Sequence, residues 1–380
     1  MSAFVIADNI ISPLGFTSRE NFERLCNMES GVRKLAGSEL SLEPVCAAVI
    51  DNQKIEAEFG KLKTEQEFTR LEKLVILSVN DALSQTQIDI TSPETIIIFS
   101  STKGNIDQLD PKNKAAQKRL LLWETADEIA QHFGNPNRPL VVSNACISGV
   151  LAILLGKRLL EGSQYKNAVV IGVDILTRFV VSGFQSFKAV SPEICKPYDA
   201  KRDGISLGEA CGTVILSNEP EFAADGSILV KGGASSNDAN HISGPSRNGE
   251  GLFLAITKAL SDAGVKSSEV DHISGHGTAT VFNDEMESIA ISDAGLADVP
   301  MNSLKSYFGH TLGAAGVIES VIGIHSLRSG RMIGTFNYAE PGVSKKINII
   351  SSTTDGRIRN FLKTAAGFGG CNAAIFYERS

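Results

Sequence analysis

Two stretches of this chain, Ile147–Leu160 and Leu312–Leu327, are apolar on nearly every face of a helix, and the second carries a single acidic residue, Glu319. A helix at a protein surface keeps a polar face. Both segments are therefore expected at the centre of the molecule, covered on all sides. A layered body with helices between and outside sheets supplies such cover.

The remaining pattern agrees with that frame. Short β-branched runs, Thr95–Phe99, Ala168–Val173, Thr213–Leu216 and Ile347–Ile350, read as buried strands and alternate with helical segments such as Glu67–Ser84. The class is α/β. A weak internal echo relates Gly208–Leu216 to Gly367–Ile375, each a glycine turn feeding an apolar strand. It divides the chain into halves 1–220 and 221–380, with the join near Ser217–Gly226, where Asn218, Pro220 and Asp225 break the pattern.

Charge and composition exclude several classes. A net charge of -7 offers no basic field to a polyanion, so nucleic acid is not an expected partner. No stretch approaches the ~20 apolar residues of a membrane span. The opening MSAFVIADNI carries Asp8 and no basic leader, so a cytoplasmic location is expected. The six cysteines show no CxxC spacing, which points to reduced thiols and no structural metal.

Four segments carry chemistry. Leu140–Gly149 reads as strand, small-residue turn and helix, with Cys146 at the helix start, where backbone amides favour thiolate. Taken alone, Cys146 fits a small core residue equally well. Ile273–Glu287 sets His276 between two glycines in a turn after a strand. Asn302–Gly316 places Lys305 before, and His310 at, the start of the second apolar helix, where an imidazole tends to stay neutral. Ala366–Asn372 is a glycine turn with amides free to hold an oxyanion. Either histidine alone reads more simply as structural. The joint occurrence of nucleophile, two histidines and amide-rich turn at strand ends and helix starts argues for one site.

In this order the segments resemble the elongating β-ketoacyl-[acyl carrier protein] synthases, the Cys-His-His branch of the thiolase superfamily. The resemblance spans Ile11–Gly15, Ser30–Val32, Ala145–Gly149, Pro197–Gly204, Gly208–Glu209, His276–Thr280, Asn283–Asp284, Lys305–Ser306, Gly309–His310, Gly313–Gly316 and Gly367–Gly370. It implies a thiolase-like fold, five-layered αβαβα with two pseudo-repeated halves. It also implies decarboxylative condensation of an acyl thioester, held on Cys146, with malonyl-[acyl carrier protein].

Carried onto matching positions, the resemblance makes Cys146 the acyl carrier, with the amides of Cys146 and Phe368 as its oxyanion hole and the Phe368 ring as a gate at the acyl pocket. His276 and His310 hold the malonyl carbonyl. Lys305 orders them, with Glu319 as its partner. Thr278 and Thr280 match positions that bind pantetheine, Asp284 and Glu287 hold the histidine loop, and His241 resembles a supporting position.

No cofactor or metal is implied, since substrates ride on the phosphopantetheine of acyl carrier protein. That acidic partner would dock on cations at the pocket mouth: Arg202 first, then Lys73, Lys114, Lys118 and Arg119. A homodimer is expected, with a heterodimer with a chain-length partner as the alternative.

The chain departs from the family pattern at Ala7-Asp8, Ala210-Cys211, Ala366 and Cys371. It is also shorter between Gly37 and Glu67 and between Ser100 and Leu140. A thiolase, which uses Cys-His-Cys, would exploit Cys371, but His310 speaks against it. Relatives that only set chain length replace the nucleophile, which this chain retains.

Overall fold

The computed structural model describes residues 2–109, 118–238 and 244–380. Its main elements are β1 (Ala3–Ile11), α1 (Arg70–Ser84), β2 (Thr95–Ser100), α2 (Leu122–His132), β3 (Leu140–Val142), α3 (Ser148–Glu161), β4 (Asn167–Asp174), α4 (Arg178–Ser186) and β5 (Ala210–Ser217). There follow β6 (Ile228–Asn237), α5 (Glu250–Ala263), β7 (Ile273–Ser274), α6 (Val281–Asp293), β8 (Met301–Asn302), α7 (Ala315–Ser329), β9 (Asn360–Gly367) and β10 (Cys371–Arg379).

The ten strands run in the order β8-β7-β9-β10-β6-β1-β5-β4-β2-β3. Five come from the first part of the chain and five from the second. The two groups meet where β1 pairs antiparallel with β6, through Ala3↔Val230, Phe4↔Leu229 and Val5↔Ile228. Parallel pairing of β2 with β4 and of β7 with β9 makes each group mixed.

The layers follow from which faces are apolar. Strands β2 and β4 are buried along their whole length, as their continuous β-branched runs require. One face of the first group packs on α1 and α2. Its other face and the inner face of the second group enclose α3 and α7. Helices α5 and α6 cover the outer face of the second group. The result is the five-layered αβαβα, thiolase-like arrangement.

Helix α7 is buried on nearly every face, as its sequence demands. Helix α3 differs from expectation: Leu151, Leu155 and Leu159 are only half-buried, so one leucine stripe is left uncovered within this chain. Other boundaries also moved. Helix α1 starts at Arg70 because Thr69 and Glu72 form a reciprocal capping box there. Ile347–Ile350 is not a strand. It touches β8 through a lone bridge between Ile349 and Met301, a two-residue strand offering too little ladder to extend.

Candidate active site

Each proposed chemical group sits beside a residue in the left-handed backbone region. Ala145 has φ 45°, Ala279 φ 62° and Leu312 φ 52°, next to or near Cys146, His276 and His310. Non-glycine residues adopt this region at a cost of about 1–3 kcal/mol. Such turns persist only where the surroundings over-determine them. At Cys146 the turn ends β3 and swings the sulfur inward before α3 begins at Ser148, so the helix starts two residues later than the sequence suggested.

The turns bring three side chains together. The Nε2 atom of His310 lies 3.0 Å from Cys146 Sγ, and the His276 and His310 rings stand 5.4 Å apart at 82°. One polar atom from each of Cys146, His276 and His310 falls within 4.8 Å of the others. All three residues are buried. A thiol and two imidazoles at this spacing are a donor set that could hold zinc, but Lys305, whose cation acts on both imidazoles and on the thiol, opposes a dication.

The electrostatics correct one expectation. Burial pushes the Cys146 thiol up to about 12, with Lys305 pulling in the opposite sense. The resting group is thus a thiol, because loss of water outweighs the pull of Lys305, the Phe368 amide and Lys103. Burial, then Lys305 and Lys363, hold His310 well below its usual range. Burial, then Lys305, His310 and Lys363, do the same for His276. Both imidazoles are neutral. The Leu312 N–H donates to His310 Nδ1 at 3.3 Å, so these partners assign the ring proton to Nε2, which faces the sulfur.

Glutamate and aspartate staples hold the His276 loop. Glu287 accepts from the amides of His276 and Gly277, both at 2.8 Å, from Tyr198 Oη at 2.8 Å and from Thr364 Oγ1 at 2.7 Å. Asp284 accepts from the amides of Tyr198, Thr278 and Ala279 at 2.7, 2.9 and 3.1 Å. Burial raises the Asp284 carboxyl to about 7 in spite of these amides.

Beneath the histidines, Glu319 pairs with Lys305, and its second oxygen lies 2.7 Å from Lys363 Nζ. Burial raises the Glu319 carboxyl, but Lys305 and Lys363 outweigh it and hold the group ionised, below its usual range. Lys363 was missed from sequence. Its signal was a lone lysine inside the apolar strand run Phe361–Ala366.

The turn after β9 completes the site. Gly369 and Gly370 take φ 89° and 71°, which closes a three-residue loop that lays the Phe368 amide against Cys146. The Phe368 ring lies 5.7 Å from both Phe184 and Phe187 on and just after α4. A cavity of about 350 Å³ holds Cys146, both histidines, Thr278 and Thr280. A second, of about 380 Å³, is lined by Phe179, Val180 and Leu312 and shares Cys146, Phe184, Phe187 and Phe368 with the first. Sulfur and phenyl rings therefore stand at the boundary of two spaces. Phe184 and Phe187 were not singled out in the sequence, although the close spacing of Phe179, Phe184 and Phe187 was a signal.

Three of the expected docking cations have partners within the chain. Arg202 spends its guanidinium on backbone carbonyls of Asp199, Gly342 and Val281. Lys73 pairs with Glu56, and Arg119 with the buried Glu72. Neither of them, nor Lys118, lines either cavity. Exposed Lys188 and Lys103 do. His241 and Lys114 lie outside the described residues. Cys371 turns its sulfur toward Phe368 O at 3.2 Å, and burial raises it to about 11.

Residues 4–221 match the family "Beta-ketoacyl synthase, N-terminal domain" and residues 227–339 match "Beta-ketoacyl synthase, C-terminal domain". The chain is 27% identical over 417 residues to a putative mitochondrial 3-oxoacyl-[acyl-carrier-protein] synthase of Schizosaccharomyces pombe, covering 97% of each. It is 34% identical over 266 residues, 66% of this chain and 62% of the relative, to a 3-oxoacyl-[acyl-carrier-protein] synthase 2 of Rhizobium meliloti. Among solved structures, a ketosynthase in complex with its chain length factor from Xenorhabdus doucetiae superposes with a TM-score of 0.88 at 24% identity, covering 100% of this chain and 98% of that one. A β-ketoacyl synthase from Burkholderia phymatum superposes with a TM-score of 0.87 at 21% identity, covering 100% and 99%.

Proposed function

The chain belongs to the β-ketoacyl synthase family, and we propose that it runs the family's condensation through Cys146, His276 and His310 on substrates borne by acyl carrier protein. The observation that carries this reading is the convergence of one sulfur and two neutral imidazoles, with atoms within 4.8 Å of one another, at the boundary of two cavities.

In the first step Cys146 Sγ attacks the carrier-bound acyl thioester. The new oxyanion lies against the amides of Cys146 and Phe368, and the carrier leaves as its thiol with the cysteine proton. The acyl chain lies in the phenylalanine-lined cavity. Malonyl carrier then occupies the other cavity, where Thr278 and Thr280 meet the pantetheine arm. His310 Nε2–H and His276 donate to its thioester carbonyl. Loss of carbon dioxide leaves an enolate that these donors stabilise. Its carbon attacks the acyl carbonyl, the Cys146 thiolate departs and takes up a proton, and the lengthened β-ketoacyl chain remains on the carrier.

Lys188 and Lys103 are the proposed docking cations for the acidic carrier. A homodimer is proposed on two features: β3 is the open edge of the sheet, and the half-buried stripe Leu151, Leu155 and Leu159 lies on the helix that follows it. Halves 1–220 and 221–380 are the proposed domains, the first carrying Cys146 and the second both histidines. The cytoplasm is the proposed compartment, since the reaction needs a reduced thiol. Among the described residues no helix is long and apolar enough to cross a membrane.

Mass spectrometry of the protein after incubation with mixed acyl carriers tests the reading. An acyl adduct on Cys146, discharged by malonyl carrier with release of a β-ketoacyl product, is expected. Acylation elsewhere, or none, refutes it.

A further inference from the structure

We infer that Lys363 is a positioning residue for the condensation, a second buried cation that ties the backbone just ahead of His276 to Glu319, the carboxylate that also holds Lys305. This rests on the ketosynthase reading above. Lys363 is fully buried on β9, a strand otherwise made of apolar and small residues at this level. A lysine is almost never placed there without a task, because its ammonium must be paired or hydrogen-bonded.

The ammonium is completely used. It donates to Ser274 O at 3.2 Å, Gly275 O at 3.1 Å and Thr364 O at 2.7 Å, and it lies 2.7 Å from Glu319. Ser274 and Gly275 are the two residues immediately before His276. One cation thereby anchors the loop of one histidine to α7, the helix that follows the other. The next residue along β9, Thr364, donates to Glu287, which holds the His276 amide itself. The His276 loop is gripped from both sides by one strand.

Charge supports the same role. The groups facing this cluster are Lys305, Lys363, Glu319, Glu287, Asp284, Tyr198, His276, His310 and Cys146, with Cys195 and Arg202 acting on its edge. Two lysines stand against two glutamates, and both cations disfavour protonated imidazole at His276 and His310. Neutral imidazoles are what enolate stabilisation uses. Removing one cation therefore loosens the His276 loop and makes both rings easier to protonate.

The test is Lys363→Met beside Lys363→Arg, reading Cys146 acylation and malonyl-carrier decarboxylation separately across pH. For Lys363→Met, decarboxylation should fall about tenfold or more while acylation stays within about threefold, and its acid limb should move to higher pH. Lys363→Arg should keep the limb at the wild-type position. Unchanged decarboxylation and limb in Lys363→Met, or equal loss of both steps with no limb shift, overturns the role. If Lys363→Met does not fold, Lys363→Arg decides: a limb in place supports the role, and a displaced limb overturns it. A wild-type enzyme that forms no Cys146 adduct would instead refute the ketosynthase reading.

Discussion

His310 Nε2 stands 3.0 Å from Cys146 Sγ although 164 positions separate the two residues in the chain. The sulfur leads into one central helix and the imidazole into the other, and those helices pack side by side between the sheets. Gly149 and Gly316 make that approach close, since a side chain at either would strike the backbone of the opposing helix. The geometry of the pair is thus a property of the innermost layer.

Replacing Cys146 by Gln should abolish condensation and leave, or raise, decarboxylation of malonyl carrier, because both histidines and their proton arrangement remain. Carbon dioxide release and β-ketoacyl product are measured in parallel. A variant that still condenses would remove Cys146 from the mechanism.

Replacing His276 or His310 by Ala should slow decarboxylation by about 10²–10⁴-fold, the range for loss of a positioned proton donor or acceptor. Single-turnover release of carbon dioxide from malonyl carrier reports it. Rates equal to wild type in both variants would contradict the assignment.

Glu319→Gln leaves Lys305 and Lys363 facing each other without their shared carboxylate. Stripping one partner from a buried ion pair costs about 3–5 kcal/mol. Urea unfolding should therefore show a lower midpoint with an unchanged slope. A midpoint equal to wild type would mean that a lysine has lost its charge or found another partner.

Phe368→Ala removes the ring that meets both Phe184 and Phe187 and opens the boundary between the two cavities. Acylation of Cys146 should become less selective for chain length, measured as the spread of adduct masses from mixed carriers. An unchanged spread would deny the ring a gating part.

Asp8 is buried and accepts from His325 Nε2 at 2.8 Å and Arg328 Nη1 at 2.7 Å. Burial works to raise its carboxyl, but His325, Arg328 and Ser18 outweigh it and lower it from 3.8 to about 2. A lowered folded value means the contribution is complete above the unfolded value and is lost as pH falls from about 4 to about 2, at a cost on the order of 2 kcal/mol. Asp8→Asn should flatten this part of the stability–pH curve. A parallel curve would locate the acid sensitivity elsewhere.

The strands Thr95–Phe99, Ala168–Val173 and Thr213–Leu216 were legible because continuous β-branched runs need two covered faces. Ile347–Ile350 looked the same and is not a strand, since whether a run pairs depends on a neighbour that composition does not name. The docking cations illustrate the opposite limit. Arg202, Lys73 and Arg119 were indistinguishable from free surface charges until the carbonyls and carboxylates around them were placed.

By itself the order of residues determined that two helices must be central and that Cys146, His276, His310 and Lys305 lie where strands and helices begin or end. Periodicity and turn chemistry are local, and they are written in the chain. Tertiary structure alone decided that burial keeps the thiol protonated, that Glu319 serves two lysines, and that three phenyl rings divide the space around the sulfur. Those outcomes depend on which groups lose water together, and desolvation is a sum over neighbours drawn from the whole chain.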